Sequence, residues 1–323
     1  MTQFPSYDEL PIDPKYPPKT AWGVWGVDDN LGTLNHLTEE RVLKASQTCI
    51  RRGAVFPLNW KLEAPQPPFH NRSEIDHQIV RCSAMKDRMF DDIYQNFNTQ
   101  SSSQWDGLRH CCHWKSKQFY NNVNFSDIEP GADATDRLGV HHMAERGIAG
   151  RAVLLDYARW WAKQRGQELN PFKRYNITVD ELERVAKDQN VIFQEGDILM
   201  LRTGLTVACE KLAGEQLCQQ HTPNPECIGV KACEETYRWV WEKKFAAVAS
   251  DNIAFEAVPF LDDNDSCHSQ FLGGFGMIIG ELFYLEALAD DSARDGVYEY
   301  FFTSAPLNKY QGVASPPNAI CIK

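Results

Sequence analysis

The chain has 323 residues, of which 43% are hydrophobic, and its net charge at pH 7 is -11. This length allows one large domain or two ordinary ones, with ample material for a core. The negative charge argues against nucleic acid and anionic membranes as partners, because both require a basic surface.

Nothing in the sequence suggests export or membrane insertion. No run of about eighteen apolar residues could span a bilayer. The first residues, MTQFPSYDEL, lack the basic start and apolar core of a signal peptide. The ten cysteines are scattered, and no C-x2-C pair indicates a structural zinc site. We therefore expect a cytoplasmic protein whose cysteines are reduced thiols.

The first twenty residues contain five prolines, which predicts an extended arm rather than a helix or central strand. Such an arm should lie across its own domain or a neighbouring subunit. Residues 21–323 are interrupted by no repeat, low-complexity segment or linker, so we predict one catalytic domain there.

Apolar patterns within this domain alternate between strand and helix. Thr38 and the Thr178–Glu181 capping box predict helix starts. Residues 85–97 are predicted to cover a site, and the lone loop histidines His70 and His77 receive no role. The remaining predicted elements are strands at 53–62, 148–156, 198–202 and 246–250 and a helix around 230–241. This alternation predicts an α/β layered fold.

Polar residues are concentrated in NTQSSSQWDGLRHCCH, residues 98–113. The spacing can direct several polar side chains into one cleft if the segment enters as a strand and leaves through a turn. A second cluster, residues 262–281, places His268 and Glu281 at the two sides of a glycine-rich apolar segment. These two clusters contain the candidate chemistry.

The first cluster resembles the signature of the cyclase family, which includes bacterial metal-dependent arylformamidases. The family pattern reads H-x3-H-x-D-x3-H, whereas Gln100 and Gln104 replace both early histidines here. Residues 22–38, 118–123 and 305–323 resemble further family segments. The resemblance implies a swivelling β/β/α domain, a homodimer, and an active site completed by His268 and Glu281.

The two glutamines determine what is expected of a metal. Hydrolases of this family use histidine and carboxylate ligands to polarise a carbonyl and to activate water. A neutral amide oxygen is a poor substitute for imidazole as a ligand of zinc or manganese. We therefore predict no cofactor. The alternative is zinc or manganese held by Asp106, His110, His268 and Glu281.

Without a metal, the same groups suit proton transfer. Asp106 with His110, and Glu281 with His268, form candidate acid–base pairs, and Arg109 is a candidate for stabilising a developing oxyanion. A small hydrophobic or aromatic substrate is expected. Its predicted contacts, which the resemblance in part implies, are Gln100, Gln104, Trp25, Phe97, Tyr120 and His113.

The variant NTQSSSQWDGLRH looks like the form found in fungal members of the family. That resemblance implies a metal-independent cyclase of secondary metabolism. Some such members dehydrate a tropolone-derived alcohol to a quinone methide and join it to a terpene alkene in a hetero-Diels–Alder reaction. Two alternatives remain: a metal-dependent hydrolase of a formamide, cyclic amide or lactone, and a binding protein that has lost the reaction.

Overall fold

A computed structural model of the chain describes residues 4–85, 88–131, 134–212, 215–218, 220, 225–260 and 266–323. Strands and helices alternate along much of the chain, so the fold is α/β, as the sequence predicts. No helix in these ranges has both the length and the apolar character needed to cross a bilayer.

A nine-stranded mixed sheet forms the centre of the molecule, in the order β1-β13-β11-β5-β7-β9-β10-β4-β12. Its strands β5, β7, β9 and β10 run parallel to their neighbours in that series, and the other pairings are antiparallel. Two-stranded pairs β2-β3 and β6-β8 lie outside it. The strands are β1 (Val55–Pro57), β2 (Asp76–Arg81), β3 (Phe90–Gln95), β4 (Gln104–Asp106), β5 (Ile148–Asp156), β6 (Asn176–Ile177), β7 (Ile198–Arg202), β8 (Gly229–Val230), β9 (Ala247–Ser250), β10 (Ile279–Glu281), β11 (Glu299–Ser304), β12 (Ala314–Ser315) and β13 (Ala319–Ile322).

The helices pack around this sheet. They are α1 (Glu39–Cys49), α2 (Val140–Arg146), α3 (Tyr157–Arg165), α4 (Val179–Asp188), α5 (Leu205–Lys211), α6 (Glu215–Cys218), α7 (Glu234–Lys243) and α8 (Glu286–Asp295). Helix α4 begins where predicted, because Thr178 and Glu181 form the reciprocal bonds of a capping box. The predicted helix around 230–241 begins later, since Gly229 and Val230 pair with β6.

The parallel strands in the middle of the sheet match the sequence most closely. Strands β5 and β7 have the predicted bounds, and their side chains are almost all buried. Continuous apolar runs are typical of parallel strands covered on both faces. The predicted strand at 53–62 is shorter, because the chain turns away after Pro57 and the amide of Trp60 donates to the Ser103 hydroxyl instead.

The N-terminal arm lies across α7 of its own chain. The indole N–H of Trp241 donates to the carbonyl of Pro5, and the amide of Tyr7 donates to Glu242. Arg238 and Asp8 form an ion pair beside them. The arm is therefore fixed by specific contacts rather than by regular structure.

Strands β2 and β3 form a hairpin in which every residue is exposed. The hairpin occupies much of the predicted cover at residues 85–97, of which residues 86 and 87 lie outside the described ranges. Its base is closed by a bond from the Ser73 hydroxyl to the carbonyl of Asn96. The base of the hairpin therefore lies next to the start of residues 98–113.

A π-helical segment, His268–Phe275, packs directly against residues 98–113. The contact is closest at Gly273, where an added Cβ would lie 2.1 Å from the backbone nitrogen of His113. Only glycine permits this approach. The same segment begins with His268, so this packing fixes the position of that imidazole.

We predict that Gly273→Ala destabilises the protein by about 1–3 kcal/mol, because the methyl group would overlap backbone that cannot move freely. Gly131→Ala is the matched control, since a Cβ there meets no atom within 4 Å. Urea unfolding of both variants measures the difference. Equal stability of the two variants would contradict this account of the contact.

Candidate active site

The pairing of β4 with β10 brings the two sequence clusters together. In this antiparallel register Gln104 lies opposite Glu281, and Asp106 lies opposite Ile279. Side chains two residues apart share one face of a strand, so Gln104 and Asp106 point the same way. Trp105 points to the other face, where its indole N–H donates to Ser304. The register thus collects two carboxylates and an amide on one face.

Gln100 and His110 join this group from the two ends of the signature. The Gln100 amide donates to Asp106 Oδ1 at 2.6 Å and lies 3.2 Å from His110 Nδ1. A turn closed by the bond from the His110 amide to the Gly107 carbonyl returns the imidazole toward Asp106. His110 Nε2 lies 3.5 Å from Asp106 Oδ2.

His268 is surrounded by carboxylates. Its Nδ1 lies 2.9 Å from Glu256 Oε2, and its Nε2 lies 3.0 Å from Glu281 Oε1 and 3.6 Å from Asp106 Oδ2. Both ring nitrogens therefore face carboxylate oxygens, and an imidazolium that donates from both nitrogens satisfies them. His268 is an imidazolium held between acids.

Burial and charge move the pKa values of this cluster in different directions. Burial lowers the pKa of His268, but the charge of Glu256 and the bonds to its three acids outweigh it and raise the pKa well above the usual value. Burial, together with the charge of Asp106, raises the pKa of Glu281 to about 7. Burial also lowers the pKa of His110, which favours its neutral form.

Three side chains come close enough to hold a metal ion: the ligand atoms of Asp106, His110 and His268 lie within 4.8 Å of one another. Asp106 Oδ2 accepts no hydrogen bond from the described residues. However, both nitrogens of His268 lie within 3.0 Å of carboxylate oxygens, and His110 Nδ1 lies 3.2 Å from the Gln100 amide nitrogen. With His268 as an imidazolium and His110 Nδ1 accepting from Gln100, neither imidazole has a free lone pair, and this arrangement does not fit a divalent ion.

A pocket of about 280 Å³ opens above this cluster. Of the residues predicted to be catalytic, His110, His268 and Glu281 line it, while Asp106 is fully buried behind them. The apolar part of the wall comes from Trp114 and other side chains. The complete lining is His70, Arg72, His110, Cys111, Trp114, Ile253, Ala254, Val258, Phe260, His268 and Glu281.

Three of the residues at this site were not found from the sequence. Glu256 is a buried acid within the apolar run NIAFEAVPF. A single carboxylate in such a run could have been recognised in the sequence as a candidate site residue. Arg72 and His70 come from the proline-rich loop, where we assigned His70 no role. Their position at the pocket depends on how that loop folds back, which no local pattern encodes.

The prediction for Arg109 is wrong. Its guanidinium points away from the cluster and donates to the carbonyls of Thr135, Arg137 and Gln311. Carbonyl groups of two separate segments thus accept the hydrogen bonds that the prediction reserved for an oxyanion. Arg109 instead fixes the loop that follows the signature.

Four predicted substrate contacts also lie outside the pocket lining. Trp25 packs against His36 and Trp241, and the hydroxyl of the buried Tyr120 donates to Asp29. His113 bonds Ser116, and Phe97 is exposed at the base of the hairpin. Gln100 and Gln104 do reach the site, but as partners of the carboxylates rather than as pocket wall.

Comparison with known proteins places this geometry in context. A family described as putative cyclases matches residues 34–257. A solved structure described as a novel cyclase is 32% identical, covers 94% of this chain and 99% of its own, and superposes with a TM-score of 0.82. A search of curated proteins found no match.

Two more distant structures share the fold. Isatin hydrolase A from Ralstonia solanacearum is 14% identical, with a TM-score of 0.59 over 88% of this chain and 98% of its own. A predicted metal-dependent hydrolase from Bacillus stearothermophilus is 16% identical, with a TM-score of 0.50 over 84% of this chain and 98% of its own. At these identities the likeness shows the α/β fold alone.

The raised pKa of Glu281 predicts how stability depends on pH. Between the usual glutamate value near 4.5 and about 7, the folded protein holds a proton that the unfolded chain releases. Stability from this group is therefore present at low pH and is lost as pH rises to about 7. The loss is at most about 1.4 kcal/mol per pH unit.

Glu281→Gln removes this titration, so the stability difference between wild type and variant should change from pH 5 to pH 7 and level off above. Denaturant unfolding across this range measures it. The exposed Glu129→Gln variant is the control and should show no such trend. A constant difference for Glu281→Gln would contradict the assignment.

Proposed function

This chain belongs to the cyclase family, and we propose that its site is a metal-independent acid–base centre that dehydrates and cyclises a small aromatic substrate. Glu281 is the acid and His110 is the base. The charges of His268, Asp106 and Glu256 set the protonation states of these two groups. The specific reaction proposed is formation of a quinone methide followed by hetero-Diels–Alder addition to a terpene alkene.

The orientation of two amides supports this proposal best. The Gln104 Nε2 group donates to Glu281 Oε2, and its Oε1 accepts from Arg72 at 3.2 Å. The Gln100 Nε2 group donates to Asp106. Amide oxygens turned toward these carboxylates would repel them, so the N–H groups must face inward. Hydrogen-bond donors therefore point where a metal site needs lone pairs.

The dehydration step balances within the cluster. Glu281 gives its proton to a benzylic hydroxyl, the carbon–oxygen bond breaks, and water leaves. The ring hydroxyl loses its proton to His110 Nδ1, which gives up its bond from Gln100 while Gln100 keeps its bond to Asp106. Return of that proton to Glu281 restores the site. A positioned acid or base of this kind contributes roughly 10²–10⁴-fold.

The cycloaddition itself requires positioning rather than proton transfer. The pocket combines the polar groups of the cluster with an apolar wall of Trp114, Ile253, Val258 and Phe260. Such a wall would hold the conjugated intermediate away from water while the alkene approaches. In well-oriented intramolecular reactions, proximity supplies about 7–11 kcal/mol.

One observation favours a second function, metal-dependent hydrolysis of a formamide, cyclic amide or lactone. Asp106 Oδ2 is buried, accepts no hydrogen bond from the part of the chain that the structure describes, and lies between the Nε2 atoms of two histidines. An ion there would require His268 to lose a proton and His110 to release Gln100. We therefore place this function second.

The test begins with metal content and activity. Protein dialysed against a chelator should retain full activity in dehydrating a hydroxymethyl-substituted phenol or tropolone and adding it to an alkene. Glu281→Gln should lower kcat by roughly 10²–10⁴-fold, because the acid is lost. Stoichiometric metal that survives dialysis, with amide or lactone hydrolysis that depends on it, would instead establish the second function.

A second experiment addresses the glutamines directly. Gln100→His with Gln104→His restores the family pattern and supplies two lone pairs, so we expect this variant to bind zinc or manganese and to lose cyclisation. Gln78→His, on the exposed hairpin, is the matched control and should do neither. If the wild type accelerates no reaction and substitutions at the site change affinity alone, the protein is a binding protein.

A further inference from the structure

Arg72 lines the pocket, and the described residues use only some of the donors of its guanidinium. A guanidinium has five N–H groups. The bonds made by Arg72 both come from Nη1, to the carbonyl of Gln100 and to Gln104 Oε1. No described residue accepts from Nε or Nη2. The three N–H groups on these two atoms form a planar fork, and they belong to a guanidinium that lines the same pocket as Glu281.

The unused fork is held in position. The carbonyl of Gln100 and the side chain of Gln104 belong to the segment that carries Asp106, so Arg72 is tied to the floor of the site. Gln104 also donates to Glu281 and so links the guanidinium to the proposed acid. A ligand bound by the fork would therefore lie at a fixed place relative to that acid.

The rest of the pocket suits a flat apolar ring. The rings of Trp114 and Phe260 stand nearly perpendicular, with centroids 5.6 Å apart. Ile253 and Val258 complete the apolar wall. The volume of about 280 Å³ equals that of about nine water molecules at roughly 30 Å³ each. One or two fused rings with polar substituents would fill this space.

We propose that Nε and Nη2 of Arg72 bind a planar conjugated oxyanion whose two oxygens are adjacent. Two chemical sources have this form: an aromatic carboxylate, and the ionised hydroxy-ketone of an aromatic ring such as tropolonate. Arginine recognises such pairs of oxygens through two parallel hydrogen bonds. That the hydroxy-ketone oxyanion is the substrate, after its ring hydroxyl has given its proton to His110, rests on the function proposed above.

Nearby acids present the main argument against an anionic ligand. Asp106, Glu256 and Glu281 are all buried in the cluster. Only Glu281 lines the pocket, and both of its oxygens accept bonds from Gln104 and His268. Both oxygens of Glu281 thus already accept bonds from the chain, while Arg72 lines the same pocket with donors that no described residue uses.

Three ligands of one shape and different charge test this directly. Benzoate is anionic, benzamide is neutral and benzamidine is cationic. Titration calorimetry with the full chain should find benzoate bound tightest, by on the order of ten- to a hundredfold over benzamide, as expected for charge-assisted bonds. Tighter binding of benzamidine than of benzoate would overturn the inference, and so would equal binding of benzoate and benzamide together with equal binding of the hydroxy-ketone pair described next.

A second pair of ligands distinguishes the two sources of the oxyanion. Tropolone carries the acidic hydroxyl beside the carbonyl, and tropone lacks it. Preference for tropolone over tropone that exceeds the preference for benzoate over benzamide assigns the site to hydroxy-ketones. The reverse order assigns it to carboxylates. No preference in either pair would show that Arg72 binds no oxyanion.

Variants locate the effect on the guanidinium. Arg72→Lys keeps the charge but cannot supply a fork, and Arg72→Gln removes both. We expect each to lose roughly tenfold or more of the preference for the anion. Arg81→Lys, on the exposed hairpin, should keep it. Should a variant at Arg72 fail to fold, the ligand series on the wild type still decides.

These binding measurements are independent of the reaction. A protein that prefers the anions but accelerates no dehydration would refute the proposed function and leave this inference intact. A protein that catalyses dehydration and shows no preference for the anions would refute this inference and leave the proposed function intact. Thermal melting of each variant confirms that it is folded before its binding is compared.

Discussion

The imidazolium of His268 is the group on which the rest of the site depends. Asp106, Glu256 and Glu281 are almost completely buried, and buried carboxylates repel one another strongly when no cation separates them. His268 contacts or approaches all three. Removal of one partner from such a buried group typically costs about 3–5 kcal/mol. The cation therefore makes it possible for three acids to be buried together beside one pocket.

The backbone fold determines where these side chains lie. The register of β4 against β10 sets Gln104 opposite Glu281, and the strand repeat adds Asp106 to the same face. The π-helical segment then brings His268 from a distant part of the chain, through a close contact that only Gly273 allows. Three separate stretches of sequence meet because a short strand pair and one glycine contact fix their spacing.

This dependence on distant contacts explains what the sequence could and could not predict. Strands β5 and β7 were predictable because continuous apolar runs need no partner to be recognised. The cluster of polar residues at 98–113 was recognisable from spacing alone. The direction of the Arg109 side chain, away from the cluster, was not predictable, because the carbonyls that accept from its guanidinium belong to Thr135, Arg137 and the distant Gln311.

The residues missed at the site have the same cause. Glu256 acts only through His268, and Arg72 reaches the pocket only because its loop folds back onto Gln100. Neither contact follows a helical or strand period. The isolated acid in an apolar run could have drawn attention to Glu256, whereas no local pattern marks Arg72. Tyr120 shows the converse, since family resemblance suggested a substrate contact where the folded chain buries the ring and bonds it to Asp29.

The two glutamines suit a site in which cationic side chains, rather than a metal ion, offset the charge of the carboxylates. A divalent ion in a site of this kind brings two positive charges to the carboxylates. Here Arg72 and His268 bring two positive charges from the chain itself, and Gln104 bonds to Arg72 while it donates to Glu281. Against three carboxylates this leaves one negative charge uncompensated, which a single proton on Glu281 would neutralise. An amide suits this arrangement better than an imidazole with a free lone pair, because it donates to an acid and accepts from arginine without taking up a charge.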